Sequence, residues 1–547
     1  MKNTKKWMNK AALRRLCALF AALITAFSCF TACSHGTPAV EPAATEAPQE
    51  PEATAVPGPE TGGRLRMVMP ENLKVGNESY DPMLVSTEEA LQLFSLVYEP
   101  LIAIDETSGL VPCLAINWSA DAGDGTRWMV NLRSGVRFHS GGKLTADDVV
   151  YSFAHLQELG AASYYAKNLS LIKNIEKVND TTLTVTTATA GMINLYGLNF
   201  PIMKQYAEPL DGTGPYAVTG CTDQRISMTV NTNWWDRPPY ISNVEFLARD
   251  SNETALASYS AGQLDFVPTA LLTAGQYGDA GVTVVRDYMT QGMETLLFNH
   301  KRTVTGSAEF RRAIICSINR SRIISNVYMN RARSCDVPVP PDSWLYSGAK
   351  QIDYDPVEAT RLFESLGYKK NADGLLCSGD TPIELTLLVS GTAENTTRQD
   401  AAAVIASQLG QMGITVTVVT ASHGYGQEDS DFITALRQRD WDIALVGFNL
   451  SQSNDLSPYL LSGGRNNFGG YQGGIFETLL RDAAAAPDEE SLRRVYHTIQ
   501  SEFLDRLPFV VLYFRLNSAV ARANIAGIDA LREPALLRNI KNWYILK

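Results

Sequence analysis

From Arg64 onward the chain alternates between two-residue and helical periodicity. Arg64-Leu65-Arg66-Met67-Val68-Met69 alternates polar and apolar side chains, the pattern of a strand with one face buried. Trp128-Met129-Val130-Asn131-Leu132 predicts a second strand, closed by the turn Arg133-Ser134-Gly135-Val136, and Thr182-Leu183-Thr184-Val185-Thr186 a third. Between them Thr145 stands in an N-cap position with Asp148 three residues on, so a helix is predicted to open there and run through Glu158. Toward the C-terminus the helices lengthen. Asp355-Pro356-Val357-Glu358 supplies a cap, a proline at the first helical position and an acid in the first turn, and Gly367 should end that helix. Residues 400–412 predict an alanine-rich helix stopped by Gly413, with a strand over 414–419 directly after it. A strand over 441–446, a long helix over 488–507 ended by Pro508, and a buried strand over 509–514 complete the pattern. Helix followed closely by strand, several times over, argues a mixed α/β fold with partly parallel sheets. No repeat occurs at solenoid spacing.

Composition narrows this little further. The 547 residues are 45% hydrophobic and 19% charged, an ordinary globular balance with room for two or three domains. Charge is more informative. The first 32 residues hold six of the 47 basic residues and no acid, which leaves 41 basic against 58 acidic residues, or −17, in the rest. A body this acidic is repelled by phosphate backbones and anionic lipid, which argues against nucleic-acid and polybasic membrane roles.

The N-terminus carries an address. Lys2, Lys5, Lys6, Lys10, Arg14 and Arg15 precede an uncharged stretch over 16–32, suited in length to a signal-peptide core and short for a membrane span. It ends in Phe30-Thr31-Ala32-Cys33, which resembles the lipobox of bacterial lipoproteins, with Phe30 where leucine is usual. The resemblance implies cleavage before Cys33 and a diacylglycerol on its sulfur. Residues 34–63 contain six prolines and five glutamates with no Lys, Arg, Phe, Trp or Tyr, the composition of an extended tether. The expectation is a signal peptide over 1–32, a lipidated Cys33 with its tether over 33–63, and a body held at the outer face of the bacterial cytoplasmic membrane. The alternatives are an ordinary secretory signal or a retained anchor.

Motifs for catalysis fail on context. Gly212-Thr213-Gly214-Pro215-Tyr216-Ala217 has the letters of a dinucleotide fingerprint, but Pro215 leads into a strand where that motif opens a helix, so it reads as a constrained turn. Gly141-Gly142-Lys143 is followed by Leu144, where a phosphate loop needs Ser or Thr. The six histidines are scattered with no i, i+4 pair, and His139 reads as a structural hydrogen-bonding residue beside a turn. The cysteines of the body (Cys113, Cys221, Cys316, Cys335, Cys377) have no C-x-x-C spacing and are odd in number, and Cys316 lies in an apolar run suited to core packing. No cofactor, metal centre or catalytic pair is expected. A surface-anchored hydrolase remains the alternative of a different class, resting on a constellation that only folding could create.

Several segments, in this order, resemble the extracellular solute-binding proteins of the peptide/nickel type, the binding components of ABC importers. They are Trp118-Ser119, Gly125-Thr126-Arg127-Trp128, Val136-Arg137-Phe138-His139-Ser140-Gly141, Leu144-Thr145-Ala146-Asp147-Asp148-Val149-Val150-Tyr151-Ser152, the Gly212 turn, and Asn231 with Trp234-Trp235. Further on lie Ala261-Gly262-Gln263-Leu264-Asp265, Phe298-Asn299, Arg311-Arg312-Ala313, Asn319-Arg320, Tyr354-Asp355-Pro356, Leu507-Pro508 and Leu512-Tyr513. Most have turn or cap chemistry and read as fold maintenance, and Trp234-Trp235 reads as core. The resemblance implies a two-lobed periplasmic-binding-protein-like α/β fold of the large three-domain variety, closing by a hinge around a solute. Its expected boundaries are a first lobe over 64–100, 196–295 and 505–547, an inserted domain over 101–195, and a second lobe over 296–504. It also implies a monomer that passes oligopeptides to an ABC permease and its ATPase subunits. In peptide-binding relatives an aspartate on a second-lobe loop pairs with the peptide amine. Here that loop carries Phe448, Asn449, Ser451 and Asp455, with Ser86 and Thr87 facing it from the first lobe. A buried ammonium needs an anionic partner, so a free peptide N-terminus is a doubtful ligand if Asp455 cannot reach it. Nickel chelates, oligosaccharides and a peptide-sensing role stay open.

Overall fold

The computed structural model describes residues 59–69, 80–85, 87–392, 395–422 and 430–547. Cys33, Ser86 and the expected signal peptide therefore lie outside the described residues, as does the tether up to residue 58. The described body is organised around an eleven-stranded sheet. From one edge its strands run Thr415–Ala421, Glu384–Ser390, Ile443–Asn449, Thr283–Phe298, Val510–Arg522, Phe266–Thr269, Arg64–Met69, Asn243–Ala248, Arg225–Val230 and Tyr216–Thr222, with Ala332–Ser334 pairing off this path on Val510–Arg522. Parallel pairs form where helices intervene: Glu384–Ser390 with both of its neighbours, and Arg64–Met69 with Asn243–Ala248 and Phe266–Thr269. The mixed α/β expectation is met in this way.

Thr283–Phe298 and Val510–Arg522 are the longest strands of the sheet and join its two halves. Thr283 to Met289 pairs with Arg522 to Leu516, on the side of Arg64–Met69. The register then shifts across Thr290, Gln291 and Gly292, and Met293 onward pairs with both Phe514 to Val510 and Phe448 to Ile443. A register shift of this kind bends a strand and increases its twist. Two lobes are thereby linked by crossing strands with an irregularity where they cross. Between Arg64–Met69 and Tyr216–Thr222 in the sequence lies a separate four-stranded antiparallel sheet, in the order Ala115–Ala120, Arg127–Leu132, Thr182–Thr187, Ile172–Asn179, with the helix Ala146–Leu159 packed against Ile172–Asn179.

Most of the segments that carried the resemblance are scaffolding. Thr145 N donates to Asp148 Oδ2 at 2.8 Å at the start of Ala146–Leu159, and Asp355 Oδ1 accepts Val357 N and Glu358 N at 3.0 and 2.9 Å ahead of Pro356–Ser365. Asp265 receives Arg66 through Nε at 2.8 Å and Nη2 at 2.7 Å, tying the first strand to its neighbour. Arg311, buried on Ala308–Cys316, donates to the carbonyls of Thr305, Gly306, Arg506 and Leu507. Burial pulls its guanidinium down to about 10. In the Gly212 turn, Gly214 N donates to Val97 O at 2.8 Å, and a Cβ on either glycine would overlap the backbone at the end of Glu88–Val97. His139 closes the same turn, its Nε2 lying 3.0 Å from Gly214 O. The body's five cysteines are free thiols, and Cys316 is buried in the core as expected.

Several elements differ from expectation: the strands read over 414–419 and 441–446 are Thr415–Ala421 and Ile443–Asn449, and two further differences have a visible cause. The helix read over 400–412 is Thr397–Gln411 and opens earlier, because Arg398 in its first turn reaches the buried Glu294 through Nε at 2.8 Å and Nη2 at 3.0 Å. The strand read over 509–514 continues to Arg522, since the polar residues that seemed to end it pair beside the crossing. Arg515 Nη2 donates to Asn449 Oδ1 at 3.2 Å, and Asn517 Nδ2 to Glu533 Oε1 at 2.6 Å.

Candidate ligand-binding site

A cavity of about 340 Å³ opens beside the crossing of the two long strands. Its floor and one wall are formed by Phe94 and Tyr98 at the end of Glu88–Val97, the segment Glu99–Pro112, Phe200 and Pro201, and the tandem Trp234-Trp235. The C-terminal segment Ala530–Lys541 forms another wall, Gln291 enters from the strand irregularity, and Gln452 closes it from the second lobe. Asn199 Nδ2 donates to Gln452 Oε1 at 3.0 Å, a hydrogen bond from one lobe to the other at the rim.

Glu99 anchors the aromatic wall. It is 5% exposed, and its Oε1 accepts Trp234 Nε1 at 3.1 Å and Trp235 Nε1 at 3.0 Å while Oε2 accepts Thr213 Oγ1 at 2.8 Å. Burial pushes this carboxyl up to about 7, and those donors hold it below what burial alone would give. The Arg133 guanidinium stacks on Trp235, 3.9 Å from the ring centroid. Trp234 and Trp235 are thus half-buried wall residues that line the cavity, correcting their reading as core. Indole N–H groups need an acceptor when taken from water, and a carboxylate beneath the rings supplies it.

The charged groups on the walls are unequally satisfied. Asp236 pairs with Lys541 and accepts Arg237 N at 2.7 Å. Asp105 Oδ1 accepts Thr107 N, Thr107 Oγ1 and Gly109 N at 2.7–2.8 Å, closing its own turn. Glu533 accepts Asn517. Arg532, 5% exposed, donates from Nη1 to Glu106 O at 2.8 Å and pairs with Asp342 of the second lobe at 2.7 Å, but its buried Nη2 has no partner. Arg538 Nη1 is likewise buried without a partner, and burial draws that guanidinium below its ordinary value. Gln291 Oε1 is a buried acceptor with no donor, while its Nε2 donates to Glu533 O at 3.3 Å.

The residues expected from sequence to touch ligand lie elsewhere on these elements. Phe448 packs edge-to-face on Tyr459 with centroids 5.1 Å apart, in a buried aromatic group with Phe468. Asn449 is exposed and accepts Arg515. Ser451 Oγ accepts Asp455 N at 3.0 Å, and Asp455 Oδ1 accepts Ser457 N at 2.9 Å, so both are engaged within their own loop. Thr87 caps Glu88–Val97 through Ala90 N at 3.2 Å. None of these lines the cavity; Gln452, from the same loop, does. Sequence reasoning missed Gln452, Glu99 and the two arginines, whose roles depend on partners far along the chain. The tandem tryptophans were the available signal.

The model of the bacterial extracellular solute-binding proteins, family 5 Middle, matches residues 109–470. The chain belongs to that family. This family-5 protein is 23% identical over 505 residues to the oligopeptide-binding protein AppA of Bacillus subtilis, covering 86% of this chain and 91% of AppA. It is 26% identical over 478 residues to heme-binding protein A of Haemophilus influenzae, covering 79% and 84%. Its fold matches the unliganded open form of the periplasmic murein tripeptide-binding protein MppA with a TM-score of 0.76, at 19% identity, over 90% of this chain and 99% of that one. The two-lobed binding-protein fold and the role of substrate-binding component of an ABC importer follow. Family-5 proteins are transport binding proteins and not enzymes. No helix among the described residues is long and apolar enough to cross a membrane.

Proposed function

We propose that this family-5 protein is held at the outer face of the cytoplasmic membrane by a lipid on Cys33. There it captures short oligopeptides between its lobes, as a monomer, and delivers them to an ABC permease and its ATPase subunits. The observation that carries the reading is the 340 Å³ cavity with apolar and aromatic walls, a few convergent polar groups and a rim hydrogen bond between the lobes. That volume is at the low end of the about 300–1,000 Å³ of small-molecule sites, which suits two or three amino-acid residues better than a long chain. In this reading the loop from Phe448 to Asp455 is the second-lobe contact, made through Gln452. Asp455, engaged at its own helix start, leaves the peptide amine without that partner.

The test uses the full-length chain purified in detergent micelles from its bacterial host. The expected result is a set of short peptides released on denaturation and identified by mass spectrometry. Added tripeptides should raise the melting temperature, by the equivalent of about 2.7 kcal/mol at about 100 times Kd. Release of a single non-peptide species, with no stabilisation by peptides, ends the peptide reading. Cys33→Ser should leave the melting temperature unchanged and abolish incorporation of labelled palmitate into the chain; incorporation that persists in the variant, or is absent from the unaltered chain, ends the lipid-anchor reading.

A further inference from the structure

Trp234 and Trp235 line the cavity from a stretch without helix or strand, between Arg225–Val230 and Asn243–Ala248, so no backbone ladder sets the angle of their rings. Side-chain partners set it instead. Trp235 Nε1 lies 3.0 Å from both carboxylate oxygens of Glu99, and Trp234 Nε1 lies 3.1 Å from Oε1. The two rings stand 5.5 Å apart at 55°, and the Arg133 guanidinium covers one face of Trp235. Thr213 Oγ1 donates to Oε2 at 2.8 Å. An indole N–H can only donate, whereas a hydroxyl can also accept. A proton on Glu99 therefore sits on Oε2 and is donated to Thr213 Oγ1, with that hydroxyl turned to accept. Trp235 then loses its contact with Oε2, and both indoles share one uncharged oxygen. Hydrogen bonds to an ionised acceptor are roughly twice as strong as those to a neutral one.

We propose that Glu99 is a positioning residue for the solute: its ionised carboxylate holds both indole rings at the angle that forms the cavity wall, and its protonation loosens them. Glu99 touches no solute and acts through Trp234 and Trp235. Solute affinity is thereby coupled to one proton and is higher when the group is ionised. Burial places that ionisation near 7. The charged and titratable groups around the carboxyl stay in one state there. The Cys113 thiol, 3.8 Å from Oε1, is pushed well above its ordinary value by burial, and the guanidinium groups of Arg133 and Arg538 beside it stay charged. His139, hydrogen-bonded to the turn that carries Thr213, is lowered by burial and is neutral where Glu99 ionises. Burial would raise Asp236, next to Trp235, but its pairing with Lys541 reverses this and holds it below its ordinary value. A purely structural role would give affinity the opposite trend, because a carboxyl raised by burial contributes stability that falls as pH rises. The inference rests on the reading of this cavity as the solute site.

The experiment uses the full-length chain, freed of copurified ligand by refolding, with alanyl-phenylalanyl-alanine as the probe. Calorimetry gives its affinity from pH 5 to pH 8, with near-ultraviolet circular dichroism of the indoles and a thermal melt at each pH. Affinity should rise about fivefold as pH rises through 7 while the melting temperature falls. Glu99→Gln has an uncharged oxygen at every pH and reproduces the protonated state. It should match the unaltered chain at pH 5 and bind about fivefold more weakly at pH 8. Titrations of the peptide and of other groups are common to both proteins and cancel in that ratio. Should Glu99→Gln fail to fold, Trp235→Phe, which keeps a ring and drops the N–H, should show most of the same loss at pH 8. If the ratio of affinities does not change with pH, or affinity falls together with the melting temperature, the positioning role is overturned and peptide binding stands. If the peptide binds at no pH, the peptide reading falls and circular dichroism decides. An indole signal that changes with pH in the unaltered chain and not in Glu99→Gln upholds the positioning role, and identical profiles overturn it.

Discussion

Burial sets the Glu99 carboxyl near 7, and a carboxyl in an unfolded chain titrates near its ordinary value of 4.5. Between those two values the folded protein keeps a proton that the unfolded chain has lost. Stability from this group therefore falls as pH rises from about 4.5 through about 7, and above that the folded state carries a buried charge costing up to about 3 kcal/mol. The cost is accepted in the fold because the ionised group satisfies Trp234, Trp235 and Thr213 together. Glu99→Gln keeps the shape and one acceptor and removes the titration. The expected result is a melting temperature that declines less between pH 5 and pH 8 in Glu99→Gln than in the unaltered protein. Other titrating groups are common to both proteins and cancel in the comparison, so identical slopes would show that Glu99 does not titrate in this range.

At the scale of elements, local chemistry was readable in the sequence and distant pairing was not. Thr145, Asp355 and Asp488 each hydrogen-bond a backbone N–H or a cap partner within three residues, and the helices they open begin where the caps predict. Arg398, Arg515 and Asn517 find their partners 104, 66 and 16 residues away, so the helix start at Thr397 and the strand beyond Phe514 were hidden. For the same reason the loop carrying Gln452 could be located from sequence, while the side chain that enters the cavity could not. The strand irregularity at Thr290-Gln291-Gly292 depends on such pairing. Thr290 Oγ1 donates to Arg515 O at 2.9 Å and accepts Gly292 N at 3.0 Å, and a Cβ on Gly292 would overlap the Arg515 guanidinium. Beneath it Glu294 is buried with Arg398 and Arg515. Burial alone would raise its carboxyl, and the two guanidinium groups reverse this and hold it below its ordinary value. Gly292→Ala is therefore expected to push Arg515 off Glu294 and Asn449 and to lower stability by about 1–3 kcal/mol in urea unfolding. Ligand affinity should fall as well, because Leu450 N donates to Gln291 O at 2.9 Å and ties the Gln452 loop to the same irregularity. An unchanged midpoint and affinity would mean that Arg515 swings aside freely.

Across the whole molecule, contacts between distant segments away from the crossing strands include Asn199 with Gln452, Arg532 with Asp342, Trp344 with Thr107 and Ser108, and Met192 with Ala486. Trp344 N donates to Thr107 O at 2.8 Å and its Nε1 to Ser108 O at 3.1 Å, while Met192 N donates to Ala486 O at 2.9 Å. One hydrophobic cluster runs from the inserted sheet to Phe432, Tyr496 and Phe503, so apolar surface is buried there as well as at the cavity. The closest approach is at Gly191, which has φ +120° and no space for a side chain, since a Cβ would overlap Ala484 O. Glycine adopts that backbone conformation without strain and lets the two chains touch. Gly191→Ala should oppose closure far from the cavity without altering a group that lines it. If the lobes open and close about the crossing strands, the variant will populate the open form, which X-ray scattering reads as a larger radius of gyration in the presence of ligand. Its apparent Kd will rise in inverse proportion to the closed fraction, with the bound ligand's contacts unchanged. If Met192 and Ala486 belong to a permanent core, the radius of gyration will stay the same and only the melting temperature will fall. That second outcome would confine the hinge motion to the Asn199, Arg532 and Trp344 contacts, the ones adjoining the cavity and the Glu106–Ser108 segment beside it.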